Sequence, residues 1–299
     1  MLSRLLPVLL TAGLLSAVPA VASAEPAPTT PPPAVVPTAA PAPQRIVMTE
    51  RPRVKGTARF GRTLQRSVGR YSVGGLRFRT QWLRNGKAIK GATRASYKPR
   101  VRDVGHTIAV RVTVSRPGYT TIAPRSPRRT VKHARDVRKT VKYSVKTNGK
   151  MTTSVPAFRR QVQQILDDPR GWRAAGIAFK RVTSGGSMTI VLAQASKVPT
   201  YSSGCSSTWS CRVGRHVIIN QERWKHASPA WNKAKGTTRL GYRHMVVNHE
   251  VGHWLGWGHA RCGGKGQKAP VMMQQSKGRN GCTFNPWPKP SERNVPRYR

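Results

Sequence analysis

His249-Glu250-Val251-Gly252-His253-Trp254-Leu255-Gly256-Trp257-Gly258-His259 is the stretch that organises the rest of this chain. His249 and His253 stand four residues apart, so on a helix they share one face and offer two imidazoles to a single cation. Glu250 follows the first of them and can reach a water held by that cation. Gly256 has no Cβ, so a helix can stop and turn sharply there. Such a turn brings His259 back as a third ligand. Three histidines leave the fourth tetrahedral position of a zinc ion open, as in catalytic rather than structural sites. The expected metal set is therefore His249, His253 and His259 around Zn2+, with Glu250 as the catalytic group and Gly256 as the turn glycine.

Working outward, alternating residues over 140–146 predict a strand. Ser154 then caps a helix, with Pro156 in its first turn and Phe158, Val162 and Ile165 at helical spacing. Residues 177–182, 188–193 and 216–220 read as further strands, and a last helix over 242–255 carries the histidines. Strand, helix, several strands, helix is an α/β (α+β) order, and 136–299 is the span of this expected domain. His216 and His226 lack metal spacing. His244 lies on another helix face and is expected to be exposed. Trp254 and Trp257 are expected to pack in the core.

The motif residues resemble the metzincin clan of zinc peptidases. That clan also places a methionine in a tight turn beneath the metal. Pro270-Val271-Met272-Met273 follows His259 at a compatible distance. Met272 is the better match, with Met273 as the alternative. The strings Cys211-Arg212-Val213-Gly214-Arg215, Ile218-Ile219-Asn220, Arg223-Trp224, Val271-Met272-Met273-Gln274-Gln275, Gly281-Cys282 and Asn285-Pro286-Trp287-Pro288 are similar to an exported actinobacterial metzincin-like family of unassigned function. This resemblance spans 139–290. It implies a zinc metalloendopeptidase in which Glu250 acts as general base on an activated water, with a peptide or protein substrate added as a strand to a sheet edge. Gln274 stands where several metzincins place a tyrosine. No cysteine precedes the domain, so latency by a propeptide cysteine is not expected.

The N-terminal part reads differently. Residues 1–24 have the form of a secretory signal: Arg4, an apolar run over 5–18, and Ala22-Ser23-Ala24 as a cleavage site. The run is short and broken by Pro7 and Gly13, so a transmembrane anchor is not expected. A secreted protein follows. Residues 25–44 read as a Pro/Ala-rich linker, expected to be extended and partly polyproline. Over 45–135 short alternating segments are separated by turns, with Asn85-Gly86 as a hairpin signal after 76–83, and another strand over 108–114. The pattern predicts an all-β sandwich pinned by Trp82. The string Gln81-Trp82-Leu83-Arg84-Asn85-Gly86-Lys87, with Asp103-Val104-Gly105-His106 and Arg116-Pro117-Gly118-Tyr119, resembles one bacterial Ig-like repeat.

The 299 residues hold four cysteines, Cys205, Cys211, Cys262 and Cys282. An even count in an exported chain suggests two disulfides. Four cysteines allow three pairings; short loops favour Cys205–Cys211 and Cys262–Cys282. A zinc site built from all four cysteines lacks its usual tight spacing.

Fifty-four Lys+Arg against 9 Asp+Glu give a formal charge of +45. So few carboxylates exclude an EF-hand-like calcium site. Net charge is +22 over 45–135 and +23 over 136–299, so no basic tail explains it. Such a field is expected to hold anionic cell-envelope polymers, with no specific nucleic acid partner. The rival to the peptidase is a non-enzymatic basic cell-envelope-binding protein whose zinc site is vestigial or structural.

Overall fold

Alternation sets the longest strands. The computed structural model describes residues 42–298. The expected signal at 1–24 and most of the 25–44 linker lie outside the described residues. The N-terminal part comprises β1 (Gln44–Arg45), β2 (Met48–Glu50), β3 (Arg53–Lys55), β4 (Leu64–Ser67), β5 (Arg70–Tyr71), β6 (Arg77–Arg84), β7 (Lys87–Ala88), β8 (Ser96–Tyr97), β9 (Thr107–Ser115), β10 (Tyr119–Thr120) and β11 (Arg129–Thr130). Gln44 pairs with Tyr119, so regular structure begins one residue before the expected boundary at 45. β6 and β9 run antiparallel from Arg77↔Ser115 to Arg84↔Ile108. Asn85 (φ 48°) and Gly86 (φ 81°) turn the chain from β6 into β7, the left-handed pair that a two-residue hairpin requires.

The sheets β11-β9-β6-β7 and β3-β4-β8 contribute to one shared core. Trp82 is fully buried there and stacks on Tyr97 at 5.4 Å, and its indole N–H donates to the Arg94 carbonyl at 2.9 Å. Truncating a buried tryptophan of this kind typically costs about 3–5 kcal/mol. Asp103 is buried beside it and accepts from Tyr97 Oη (2.6 Å), the Arg100 amide (2.6 Å) and Arg84 Nη1 (3.0 Å).

The C-terminal part comprises β12 (Lys139–Asn148), α1 (Val155–Asp167), β13 (Ile177–Arg181), β14 (Met188–Ala193), β15 (Cys211–Val213), β16 (His216–Asn220), α2 (Gln221–His226), α3 (Pro229–Asn232) and α4 (Arg239–Trp254). The sheet order is β13-β12-β14-β16-β15, parallel throughout except for β15. β14 is buried at every position, as an apolar run in a central parallel strand should be. Its side chains alternate. Ile190 and Leu192 join Val217 and Ile219 under α1 and α4, while Val191 and Ala193 face Ile218, Val198 and Cys205 on the other side. Ser154 Oγ accepts from the Ala157 amide and starts α1 as expected. The short elements β15, α2 and α3 go beyond the expected order; α2 and α3 are started by Asn220 and Ser228 side-chain caps.

The whole is mixed α/β, with many strands in several sheets and few helices. Arg59 ties its two parts together, pairing with Asp136 at 2.7 Å and donating to the His133 carbonyl. No helix among the described residues is long and apolar enough to cross a membrane.

Candidate metal centre

Thr238 Oγ1 accepts from the Gly241 amide at 2.9 Å and starts α4. Tyr242, Met245, Val246, Val247 and Val251 anchor the helix in the core, which leaves His249 and His253 one turn apart at its cleft-facing side. Gly252 is required by packing. A Cβ there would lie 2.9 Å from Trp172 Cζ2 and inside contact distance of Met272 Sδ. The helix ends at Gly256, whose φ of +96° is left-handed. The Gly256 amide donates to the His253 carbonyl (3.1 Å) and the Trp257 amide to the Gly252 carbonyl (3.0 Å), a Schellman termination. Arg297 closes the end, donating from Nε to the Trp254 carbonyl at 2.7 Å with its guanidinium 4.2 Å above the Trp254 ring. The chain then swings back and delivers His259 to the pair.

The three imidazoles converge. His253 Nε2 lies 3.1 Å from His249 Nε2 and 3.2 Å from His259 Nε2. His249 Nδ1 sits 2.8 Å from the Val271 carbonyl and His253 Nδ1 2.8 Å from the Trp257 carbonyl. A carbonyl can only accept, so each Nδ1 carries the proton and each Nε2 a lone pair. Burial, with the neighbouring His253 adding to it, drives the His249 pKa down to about 3. Burial also lowers those of His253 and His259. Neutral lone pairs facing one another at this distance repel unless a cation lies between them. Zinc–nitrogen bonds of about 2.0–2.1 Å in a tetrahedron place nitrogens about 3.3–3.4 Å apart. The observed separations come within a few tenths of an ångström of that. The donor set therefore fits a zinc ion.

Glu250 is 5% exposed beside this cluster, and burial pushes its carboxyl up to about 8, offset in part by the Arg212 charge. The four residues open into a cleft of about 360 Å3. One wall is the 205–212 segment, with Trp209 and Arg212; the other follows the methionines, with Gln274, Ser276 and Lys277. Both expected disulfides are formed. Cys205–Cys211 (Cα–Cα 5.9 Å) braces the first wall, and Cys262–Cys282 (5.8 Å) ties the connection after His259 to the chain beyond the second.

Met272 lies under α4 against Gly252, whereas Met273 packs on Ala269 and Cys282. The segment is pinned by Glu292, a buried carboxylate that accepts from the amides of Val271 (3.1 Å), Met272 (2.9 Å) and Lys289 (2.7 Å). Val271 in turn offers its carbonyl to His249, so Glu292 holds the first histidine through the backbone. Sequence reasoning missed Glu292, Arg212 and Lys277. The scarcity of acids was the available signal: only six occur over 136–299, and a lone glutamate after Pro290 needed a reason to be there.

His216 and His226 lie outside the cluster. His244 is half-buried rather than exposed, with its ring 4.6 Å from that of Trp287 and its pKa driven to about 4, first by burial. Its helix face meets the 285–288 segment, which the spacing of the motif could not foresee. Trp254 is buried as expected.

No curated protein matches the chain. The profile of the family described as Protein of unknown function (DUF3152) matches residues 124–290, a span that holds the histidine cluster, Glu250, both disulfides and Met272. With more than half of its 299 residues covered, the chain belongs to this family of proteins of unknown function, DUF3152.

Proposed function

We propose that the protein is a secreted zinc-dependent metalloendopeptidase of metzincin-like architecture, preceded by one Ig-like module. The observation that carries this reading is the convergence of three neutral imidazole nitrogens with a buried carboxylate in one open cleft. A zinc ion held by His249, His253 and His259 would supply Lewis-acid polarisation of a peptide carbonyl and of water. The side chains do the rest. Val271 and Trp257 carbonyls keep the first two imidazoles in the ligating tautomer. Glu250 takes the proton from the attacking water on a carboxylate oxygen and returns it to the departing amine. Its raised pKa suits proton transfer near neutral pH, and a dication nearby lowers that value and favours the accepting form. Met272 and Gly256 give the helix its floor and its turn. β15 is the outer strand of its sheet and its Cys211 and Arg212 line the cleft, so its free edge suits an added peptide strand.

The test is digestion of a random peptide library by zinc-loaded protein. Cleavage by wild type and none by Glu250→Ala supports the reading; no cleavage by either overturns it. The charge favours adhesion to anionic cell-envelope polymers in addition. Retention on isolated walls should be lost between about 0.1 M and 1 M salt, where the screening length falls from about 10 Å to about 3 Å. Retention that ignores salt would require a specific ligand site instead. A structural or vestigial zinc site in a non-enzymatic binder is the alternative, and Glu250 facing an open cleft weighs against it.

A further inference from the structure

The cleft has an electrostatic polarity that its metal ligands do not explain. Arg212, on β15, and Lys277, in the segment after the methionines, both line the cleft beside the His–Glu centre. Both side chains are exposed, and among the described residues neither forms an ion pair or donates a side-chain hydrogen bond. The acids of this half of the chain are committed elsewhere. Asp136 pairs with Arg59, Asp168 with Arg170 and Glu222 with Lys225. Glu292 is taken by backbone amides and Asp167 by Gln163. Glu250 is left as the one acid lining the cleft, and it sits on the buried floor. The rest of the lining mixes the polar Ser206, Ser210, Gln274 and Ser276 with Trp209, Met245 and Val246, and adds no further charge.

We propose that this cleft selects acidic peptides, with Arg212 and Lys277 receiving carboxylates near the bond at the His–Glu centre. The proposal rests on the peptidase reading above and names its substrate class. Two unpaired cations from separate segments of the lining give an extended chain two positive partners in one cleft. A cleft lined by one sign of charge focuses the field and concentrates ligands of the opposite sign. The +23 of the surrounding 136–299 segment repels basic peptides before they reach it. Arg212 and Lys277 are thus specificity-determining residues.

Because a basic protein attracts any acidic peptide, the test must separate the cleft from the general charge. The double variant Arg212→Glu/Lys277→Glu is compared with Lys87→Glu/Lys90→Glu, which makes the same change in net charge on exposed positions of the N-terminal part. Fluorescent peptides of acidic, neutral and basic sequence are titrated against each variant in a Glu250→Gln background, and a peptide library is digested with Glu250 intact. The proposal expects acidic-peptide affinity to fall about tenfold for the cleft pair and little for the remote pair, since one well-placed charge contact is worth about that factor. Cleaved sequences should carry Asp or Glu near the scissile bond, and the cleft variant should lose or invert that preference. Equal losses in both double variants, or cleavage indifferent to acids, overturns the proposal and leaves the peptidase reading standing. Cleft-dependent acidic binding with no cleavage of any peptide does the reverse.

Discussion

Replacing Glu292 by alanine should loosen the candidate metal centre through the backbone that supports His249. Its carboxylate accepts three backbone N–H groups, those of Val271, Met272 and Lys289, in a site only 5% exposed. Hydrogen bonds to a charged group are worth about 1.5–3 kcal/mol each, and donors left unpaired in a buried site add to the loss. The three share one acceptor and will not add fully, so about 3–5 kcal/mol is expected for Glu292→Ala. For a domain of this size that is a fall of roughly 6–20 °C in Tm. Glu292→Gln keeps one acceptor oxygen and should lose about half as much. The perturbation also reaches the histidines, because the Val271 carbonyl fixes the tautomer of His249. Loss of such support typically costs about 10–100-fold in metal affinity. Thermal melts of metal-free protein and zinc competition against a chelator measure the two effects separately. If Glu292→Ala melts within a degree of wild type and holds zinc equally well, this coupling through the methionine turn is wrong.

Gly252→Ala should destabilise the protein by about 1–3 kcal/mol despite the roughly 1 kcal/mol gained in helix propensity, because the new methyl meets Trp172 and Met272; a chemical denaturation midpoint at or above wild type would contradict the packing argument. Glu250 gives a pH test in metal-free protein. Its proton is held to about pH 8 in the folded state but released near 4.5 in the unfolded one, so the folded state binds the extra proton between those values and stability falls as pH rises through them. Glu250→Gln removes that term, and the variant's stability advantage should grow to roughly 3–5 kcal/mol by pH 8. An advantage that stays constant between pH 5 and pH 8 would rule out the buried carboxyl as its source. The His249 term runs the other way. Its pKa is depressed, so stability falls as pH drops from 6.5 towards about 3, and His249→Ala should lessen this acid sensitivity in melts between pH 6.5 and pH 4.

Much of the site was legible because its chemistry is local. His249, His253 and Glu250 share one helix, Gly256 ends it, and His259 follows within a few residues, so spacing alone placed them together. Strands are legible for the same reason: β14, in the parallel sheet, is an unbroken apolar run, and β6 and β9 of the antiparallel sheet alternate. What the sequence concealed depends on distant partners. β15 is three residues long and acquires its strand character only from pairing with β16. Glu292 has no motif around it, and its role exists only because the chain end returns beneath the methionine turn. Arg212 and Lys277 are two among 54 basic residues in the sequence, and only the fold brings them to the lining of one cleft. His244 lies on another helix face than the motif histidines, and nothing local in the sequence shows the 285–288 segment that packs on it.

The proposed peptidase divides labour within one cluster: three histidines would hold a zinc ion and Glu250 would move the proton. It is tested most directly by zinc stoichiometry and peptide cleavage measured together on wild type, Glu250→Ala and His253→Ala. Wild type should carry one zinc per chain and cleave. Glu250→Ala should keep its zinc and lose about 10²–10⁴-fold in rate, and His253→Ala should lose both metal and activity. Wild type that binds zinc yet cleaves nothing, or Glu250→Ala that cleaves as fast as wild type, would contradict the account.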